Sequence, residues 1–352
     1  MIRRVLFRSQ TYIALNDQTS AIANYRLVVE RFPATAQGRN ALLQLAITYR
    51  NAGNGDMAVD TYREVVRKYP SSDEASVAVD DMKSIYADRG NIEELDRFLS
   101  SVAGAPQLDE AEKSSLASRA LFRRATDAMD RGDKDAALTA ASEIVARYPD
   151  TEVAEDALAI KADMEYSQGK TEMALADYEA LQSRASGASM LHRARMGAAR
   201  AARDLGRDEV VIETVDKILS SSAAGQAEEY EVKYMRATAY WRMDNTAKAE
   251  AEWAQLSEEP SNLYGAMSAV ALAESYNQRG ATDEALAAVN KFIDADPPHS
   301  YWLARGFILL SDILRQQGNT FEADEYLRSL RTNYPGKEAD IYEMIDSRLK
   351  NK

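Results

Sequence analysis

One turn residue, recurring at intervals close to 37, constrains this chain more than any other feature. It falls at Asn16, Gly53, Gly90, Gly132, Gly169, Gly206, Asp244, Gly280 and Gly318, with spacings of 37, 37, 42, 37, 37, 38, 36 and 38. Five positions after each comes a small or apolar side chain, and in most units a proline follows sixteen or seventeen positions after the turn. Self-similarity at this period is the mark of a helical solenoid. A single helix pair cannot bury its own apolar face, whereas stacked pairs share one continuous core. Such an array offers a binding or scaffolding surface and leaves the partner unnamed.

The unit from Asn40 to Pro70 shows the physical basis. Leu42, Leu45, Ala46 and Tyr49 stand at i, i+3, i+4 and i+7, the stripe of an amphipathic helix. Asn51 to Gly55 then supplies two glycines that can take positive φ and end it. Ala58, Tyr62, Val65 and Val66 line one face of a second helix, and Pro70 stops that helix because it cannot continue the hydrogen-bond ladder. Each unit is therefore a helix–turn–helix of about 34 residues plus a connector.

Equivalent positions repeat in type. Seven residues before the turn stand Ser9, Ala46, Lys83, Ala125, Ala162, Ala199, Ala237, Ala273 and Ser311, small in all but one case. Five after it stand Ala21, Ala58, Leu95, Ala137, Ala174, Val211, Ala249, Ala285 and Ala323. Tyr25, Tyr62, Leu99, Tyr178, Trp253 and Leu327 follow at the ninth position, and the twelfth is apolar in every unit, from Val28 to Leu330. This small–Gly–Ala–aromatic–Pro cadence resembles tetratricopeptide repeats over about residues 2–335. The resemblance implies an all-α, right-handed solenoid of about nine helix–turn–helix units. HEAT and armadillo repeats have longer periods and lack these spacings.

Three departures shape the expected organisation. Repeats one to three (1–104) are followed by an insertion around Gly104 to Lys113, expected to be a loop over 105–115. Repeats four to nine (116–335) come next, and among them repeats five and six lack the closing proline. Their serine-rich connectors, Ser183 to Ser189 and Ser220 to Gly225, are expected to be the more mobile joints. Residues 336–352 are expected to form a capping helix with Ile341, Tyr342, Ile345 and Leu349 inward. The opening residues, Met1 to Arg8, fit poorly as the first helix of a capped array and are expected to lie inside a longer protein.

Composition narrows the chemistry. With 43 Lys+Arg against 56 Asp+Glu the net charge is −13, which argues against a phosphate-binding surface and hence against nucleic acid. No cysteine is present, so there is neither a disulfide frame nor a thiolate metal site. No apolar run is long enough to span a membrane. The two histidines, His192 and His299, are not at metal-ligand spacing and are read as surface residues. No phosphate loop is present, and acid pairs such as Asp80-Asp81 and Glu228-Glu229 fall on solvent faces. Neither enzyme activity nor a cofactor is expected.

Several units close on a polar or basic residue, an aromatic and proline: Arg31-Phe32-Pro33, Lys68-Tyr69-Pro70, Arg147-Tyr148-Pro149 and Asn333-Tyr334-Pro335. A capping Ser, Thr, Asp or Gly then leads into the next helix. The cadence resembles bacterial cell-envelope tetratricopeptide proteins, such as those of β-barrel assembly and of the Tol–Pal system, and large repeat proteins of Bacteroidetes-like bacteria. This resemblance implies a periplasmic or outer-membrane-associated setting. Cytosolic relatives use the same device, so a cytoplasmic one stays open.

In this family the first helix of each unit lines a concave surface, and positions thirteen, ten, six and three before the turn are expected to face it. They give Arg119 and Phe122 in repeat four, Tyr166 in five, Arg193, Met196, Arg200 and Arg203 in six, and Tyr234 and Trp241 in seven. Arginine forks among aromatics suit an extended peptide with a carboxylate, so the expected partner is a protein segment, acidic or C-terminal. The competing expectation is that these arginines pair with Asp156, Asp163 and Glu231 on adjacent helices. Trp253 is read as core, and Trp302 as packing where repeats eight and nine meet. The two function classes are a binding scaffold and a structural or self-associating spacer, with a regulatory subunit of a cytosolic complex as a further alternative.

Overall fold

The computed structural model of the chain describes residues 2–221 and 225–350. Among these residues there are nineteen α-helices and no strand, arranged in two compact units that divide between Met164 and Glu165. The first unit holds α1 (Ile2–Ala14), α2 (Gln18–Arg31), α3 (Ala36–Asn51), α4 (Gly55–Lys68), α5 (Asp73–Arg89), α6 (Ile92–Ser100), α7 (Glu110–Asp130), α8 (Lys134–Arg147) and most of α9 (Ala154–Ser167). The second holds α10 (Thr171–Arg184), α11 (Ala188–Asp204), α12 (Asp208–Leu219), α13 (Gln226–Arg242), α14 (Thr246–Leu256), α15 (Leu263–Gln278), α16 (Thr282–Asp294), α17 (Ser300–Gln316), α18 (Thr320–Asn333) and α19 (Ala339–Lys350).

Within each unit, consecutive helices pack on one another. First helices also touch the next first helix: α3 with α5, α5 with α7, and α11 with α13, α15 and α17 in succession. Among the described residues the second helices make no comparable contact with each other. The chain is an all-α helical solenoid, and within each unit the first helices pack closely on one another and the second helices more openly.

All nine turn residues take positive φ, from 58° at Asp244 to 87° at Gly318. A Cβ added at Gly132 would meet nothing within 4 Å, so glycine is wanted there for its backbone conformation and not for space. Asn16 and Asp244 fill the same site at 59° and 58°, being among the few side chains that tolerate it.

The repeat positions define the core. Every residue five after the turn is buried, as are Tyr25, Tyr62, Leu99, Tyr178, Trp253 and Leu327 at the ninth. At the twelfth only Val102 and Leu330 remain half-exposed. All the small residues seven before the turn are buried. The exception in type, Lys83, is half-buried, and its Nζ lies 2.8 Å from Glu112 and 3.1 Å from Asp80. Glu112 stands on α7, so this cation links α5 to α7.

The insertion after repeat three is ordered. Gly104 turns the chain at φ 81°, Ala105 and Leu108 are buried, and Gln107 Nε2 donates to the carbonyls of Leu99 and Ala105 at 2.9 and 3.0 Å. Asp109 and Glu112 form a reciprocal capping box, so α7 starts at Glu110 and residues 110–115 are helix where a loop was expected. Between α10 and α11 the connector is only residues 185–187. The expected joint at Ser220 to Gly225 falls partly outside the described residues. In one closing motif the aromatic reaches backwards: Tyr69 Oη donates to the carbonyl of Pro33, in the connector one repeat earlier, at 2.6 Å. Helix α19 lies where a capping helix was expected, with Ile341 and Ile345 fully buried against Ala304, Ile308 and Leu327.

Candidate protein-binding face

The best-defined cluster of expected binding residues lies in the second unit. Helix α11 is rich in buried alanine at Ala194, Ala198, Ala199, Ala201 and Ala202, which lets its neighbours approach closely. Its remaining surface carries Arg200 and Arg203, three positions apart and therefore on one face. Because α13 packs on α11, Arg200 reaches across to Glu231, with Nε and Nη2 each 2.7 Å from a carboxylate oxygen. Arg203 donates Nε and Nη2 to one oxygen of Asp204 at 2.8 and 2.7 Å, and Tyr166 Oη donates to the other at 2.5 Å.

Two further tyrosines join the group. Tyr234 of α13 and Tyr264 of α15 stack at a tilt with ring centroids 5.8 Å apart, and Tyr264 lies within the fields of Glu231, Arg200 and Arg203. Burial raises the phenol pKa values of Tyr166, Tyr234 and Tyr264, and the nearby carboxylates of Asp204 and Glu231 add to the rise at Tyr166 and Tyr264. At Asp204 burial pushes the carboxyl up, but the hydrogen bond from Tyr166 and the Arg203 guanidinium outweigh it and hold it below the usual range. Each arginine is thus fixed through its Nε–Nη2 edge, so a further carboxylate would meet the Nη1 side and an apolar group the tyrosine rings.

The other expected residues fall differently. Met196 is 4% exposed and packs into the core, as do Ala159 and Val270 at the same position ten before the turn, whereas Phe122 and Tyr234 there stay half-buried. Trp241 is half-buried against Trp253, with ring centroids 5.8 Å apart. Arg193 is exposed near the start of α11. Arg119 and Phe122 belong to the first unit, where Arg119 pairs with Glu152 and Phe122 packs against Leu121 and Ala125. The pairing of Arg200 with Glu231 is the one the competing expectation named, whereas Arg203 takes its own neighbour. Sequence reasoning missed Tyr264, which sits sixteen before its turn and outside the four positions considered. It also missed Asp204, two before its turn.

The histidines correct the sequence reading in part. His192 is largely buried, its side chain 15% exposed, and its Nε2 lies 3.0 Å from Glu228, which also accepts from the backbone N–H of Gly225 at 3.1 Å. The pair straps the start of α11 to the start of α13. His299 Nε2 lies 2.9 Å from the Ser261 carbonyl in the preceding connector. Trp253 is buried and Trp302 packs against the cluster of Ala266, Val270 and Phe292, as expected. Among the described residues no group of acids and histidines is arranged to hold a metal ion, and no helix is long and apolar enough to cross a membrane.

A stacked array of helix pairs at this period defines a helical repeat protein. Tetratricopeptide repeat models match residues 40–72 and 307–337, and 122–189 and 234–300, together more than half of the chain. The chain belongs to the tetratricopeptide repeat family. No curated protein sequence matches it significantly. Among solved structures, a STAND signal-transduction ATPase with a tetratricopeptide repeat sensor from Pyrococcus horikoshii is 14% identical, with TM-score 0.52. That likeness covers 94% of this chain and 55% of the other. The P58(IPK) tetratricopeptide domain is 15% identical over 99% of this chain and 97% of that one, with TM-score 0.32. A tetratricopeptide repeat protein from Parabacteroides merdae is 12% identical over 99% of both chains, with TM-score 0.28. At 14% identity the likeness to the STAND ATPase speaks to the fold alone.

Proposed function

We propose that this protein is a non-catalytic scaffold that holds an extended segment of a protein partner on the first-helix face of its second unit, within a bacterial cell-envelope assembly. The observation that carries the reading is the cluster of Arg200 and Arg203, fixed by Glu231 and Asp204, among Tyr166, Tyr234 and Tyr264. Preorganised guanidinium groups beside aromatic rings lower the ordering cost of capturing a flexible, carboxylate-bearing peptide. The envelope setting rests on the basic–aromatic–proline closures such as Arg31-Phe32-Pro33 and Lys68-Tyr69-Pro70.

The test is affinity purification from the source cells with the parent chain and an Arg200→Gln/Arg203→Gln variant, the latter shown by circular dichroism to fold. Envelope proteins captured by the parent and lost in the variant support both face and setting. Cytosolic partners lost in the variant retain the face and remove the envelope. Partners that bind both forms equally remove the face. A self-associating spacer is the second reading, favoured by Phe7 and Leu15, which are each 71% exposed on and just after α1. Concentration-dependent association in sedimentation velocity, abolished by Phe7→Ser/Leu15→Ser, would favour it.

A further inference from the structure

The opposite side of the array carries a second set of features. Because the second helices make no comparable contact with each other among the described residues, a cleft opens over the first helix between them in repeats four, six and eight, and in repeat nine one opens between α17 and α18. The residue eleven before the turn lines each one: Leu121 in repeat four, Arg195 in six, Ala269 in eight and Phe307 in nine. The earlier clefts are polar. Arg195 shares its cleft with Glu179, Glu213 and Lys217, and Leu121 shares its own with Glu93, Arg124, Glu143 and Arg147.

The clefts of repeats eight and nine, both in the second unit, differ in kind. The first, about 200 Å³, is lined by Ala254, Leu272, Ala288 and Phe292, and the second, about 260 Å³, by Leu303, Phe307, Tyr326 and Leu330. The only cation in either lining is Lys291, already held by Glu258 at 2.7 and 2.8 Å. Carboxylates, by contrast, stand along the connector edge. Glu259 lies between the lining residues Glu258 and Pro260, and Asp294 precedes the lining residue Ala295; both are exposed. At the second cleft, Glu338 accepts from Tyr334 Oη at 2.7 Å, and Asp340 accepts at 2.7 Å from Tyr301 Oη, beside the lining residue Ser300.

We propose that these two clefts dock an amphipathic helix of a protein partner, apolar along one stripe and basic on its flanks. The charge pattern selects this occupant: leucine-sized side chains fill the clefts, and Lys or Arg meets an edge with five acids and only one neighbouring lysine, Lys337, not already paired. An acidic helix or an anionic lipid surface would be repelled by the same edge. This site is independent of the first-helix face and does not rest on that reading.

The probe is a fluorescein-labelled synthetic helix of about 18 residues, roughly 27 Å long, with leucine at i, i+3, i+4 and i+7 and lysine on the flanks. A counterpart carries glutamate in place of lysine, and both are titrated with the full chain by fluorescence anisotropy. The lysine peptide binds at least about ten-fold tighter than the glutamate peptide, and its affinity falls between about 50 mM and about 300 mM salt. Glu259→Lys/Asp294→Lys reverses the preference. Ala295→Trp/Ser329→Trp, which places bulk at two exposed lining positions, weakens binding by at least about ten-fold while the melting curve stays that of the parent. Arg200→Gln/Arg203→Gln leaves binding unchanged. Equal binding of the two peptides, or undiminished binding to the tryptophan variant, overturns the proposal. So does a dimer in sedimentation velocity that the tryptophan variant abolishes, which would assign the clefts to a second copy.

Discussion

Gly132 isolates what the turn residue contributes. Since no atom would touch an added Cβ, a substitution there pays only in backbone conformation, at a φ of 73°. Gly132→Val is expected to lose about 1–3 kcal/mol, because a β-branched residue is poorly suited to the left-handed region. Gly132→Asn is expected to lose distinctly less, since the array itself places Asn16 at 59° in an equivalent turn. Urea unfolding followed at the helical circular-dichroism band measures both, and equal midpoints for Val and Gly would remove the argument. Asp204 shows a second residue-scale effect. Its carboxyl is pushed up by burial, yet held below the ordinary range by Tyr166 and Arg203. A carboxyl with a folded-state pKa below its unfolded value of about 3.9 adds stability above that value and loses it as pH falls through the folded one. Tyr166→Phe removes one donor, so the Asp204 carboxyl carbon, followed by NMR, is expected to titrate at higher pH in the variant. An unmoved titration would show that Tyr166 does not contribute.

At the scale of helices, the sharpest electrostatic joint is the bridge that Arg236 of α13 makes between its neighbours. Nε and Nη2 meet Glu252 of α14 at 3.1 and 2.5 Å, and Nη1 pairs with Asp216 of α12. Glu252 is 9% exposed, so the pair is largely desolvated. Glu252→Ala leaves the guanidinium with only the half-exposed Asp216 and is expected to cost about 3–5 kcal/mol, whereas Arg236→Met/Glu252→Leu recovers most of it. Chemical denaturation of the three proteins tests this, and a double variant no better than the single would mean the bridge contributes net stability. This joint also shows where sequence reading stops. Periodicity told which way Arg200 and Trp253 point, because the 3.6-residue period fixes direction within one helix. It could not say that Arg203 would turn to Asp204, or that Tyr264 would arrive beside Tyr234. Those contacts depend on how far successive helices slide along one another. Met196 failed for a related reason: ten positions before the turn Met196 is covered while Tyr234 stays half-buried, and only the packing of neighbouring helices decides which.

Over the whole molecule, the repeat register was readable from the turn residues, and every one of them takes a left-handed conformation. The division between Met164 and Glu165 was not, since the period runs through repeat five at an unbroken 37 residues. Local sequence sets each helix pair, while compactness is summed over neighbours and leaves no motif. That same neighbour-by-neighbour construction governs how damage spreads. Trp253 is 3% exposed and packs with Ala237, Ala249 and Leu272, so it joins α13, α14 and α15 within the second unit. Trp253→Ala is expected to cost about 3–5 kcal/mol. Trp253→Phe should cost less than about 1.5 kcal/mol, because the indole Nε1 is buried without a partner and no hydrogen bond is lost. In an array whose stability is a sum of repeat and interface energies, the Ala penalty stays near its source. Hydrogen exchange read by mass spectrometry is therefore expected to show lost protection in α13 to α16 of Trp253→Ala, with α3 and α4 unchanged. If α3 and α4 lose protection in step, the repeats unfold as one cooperative body, and the additive description of this array is wrong.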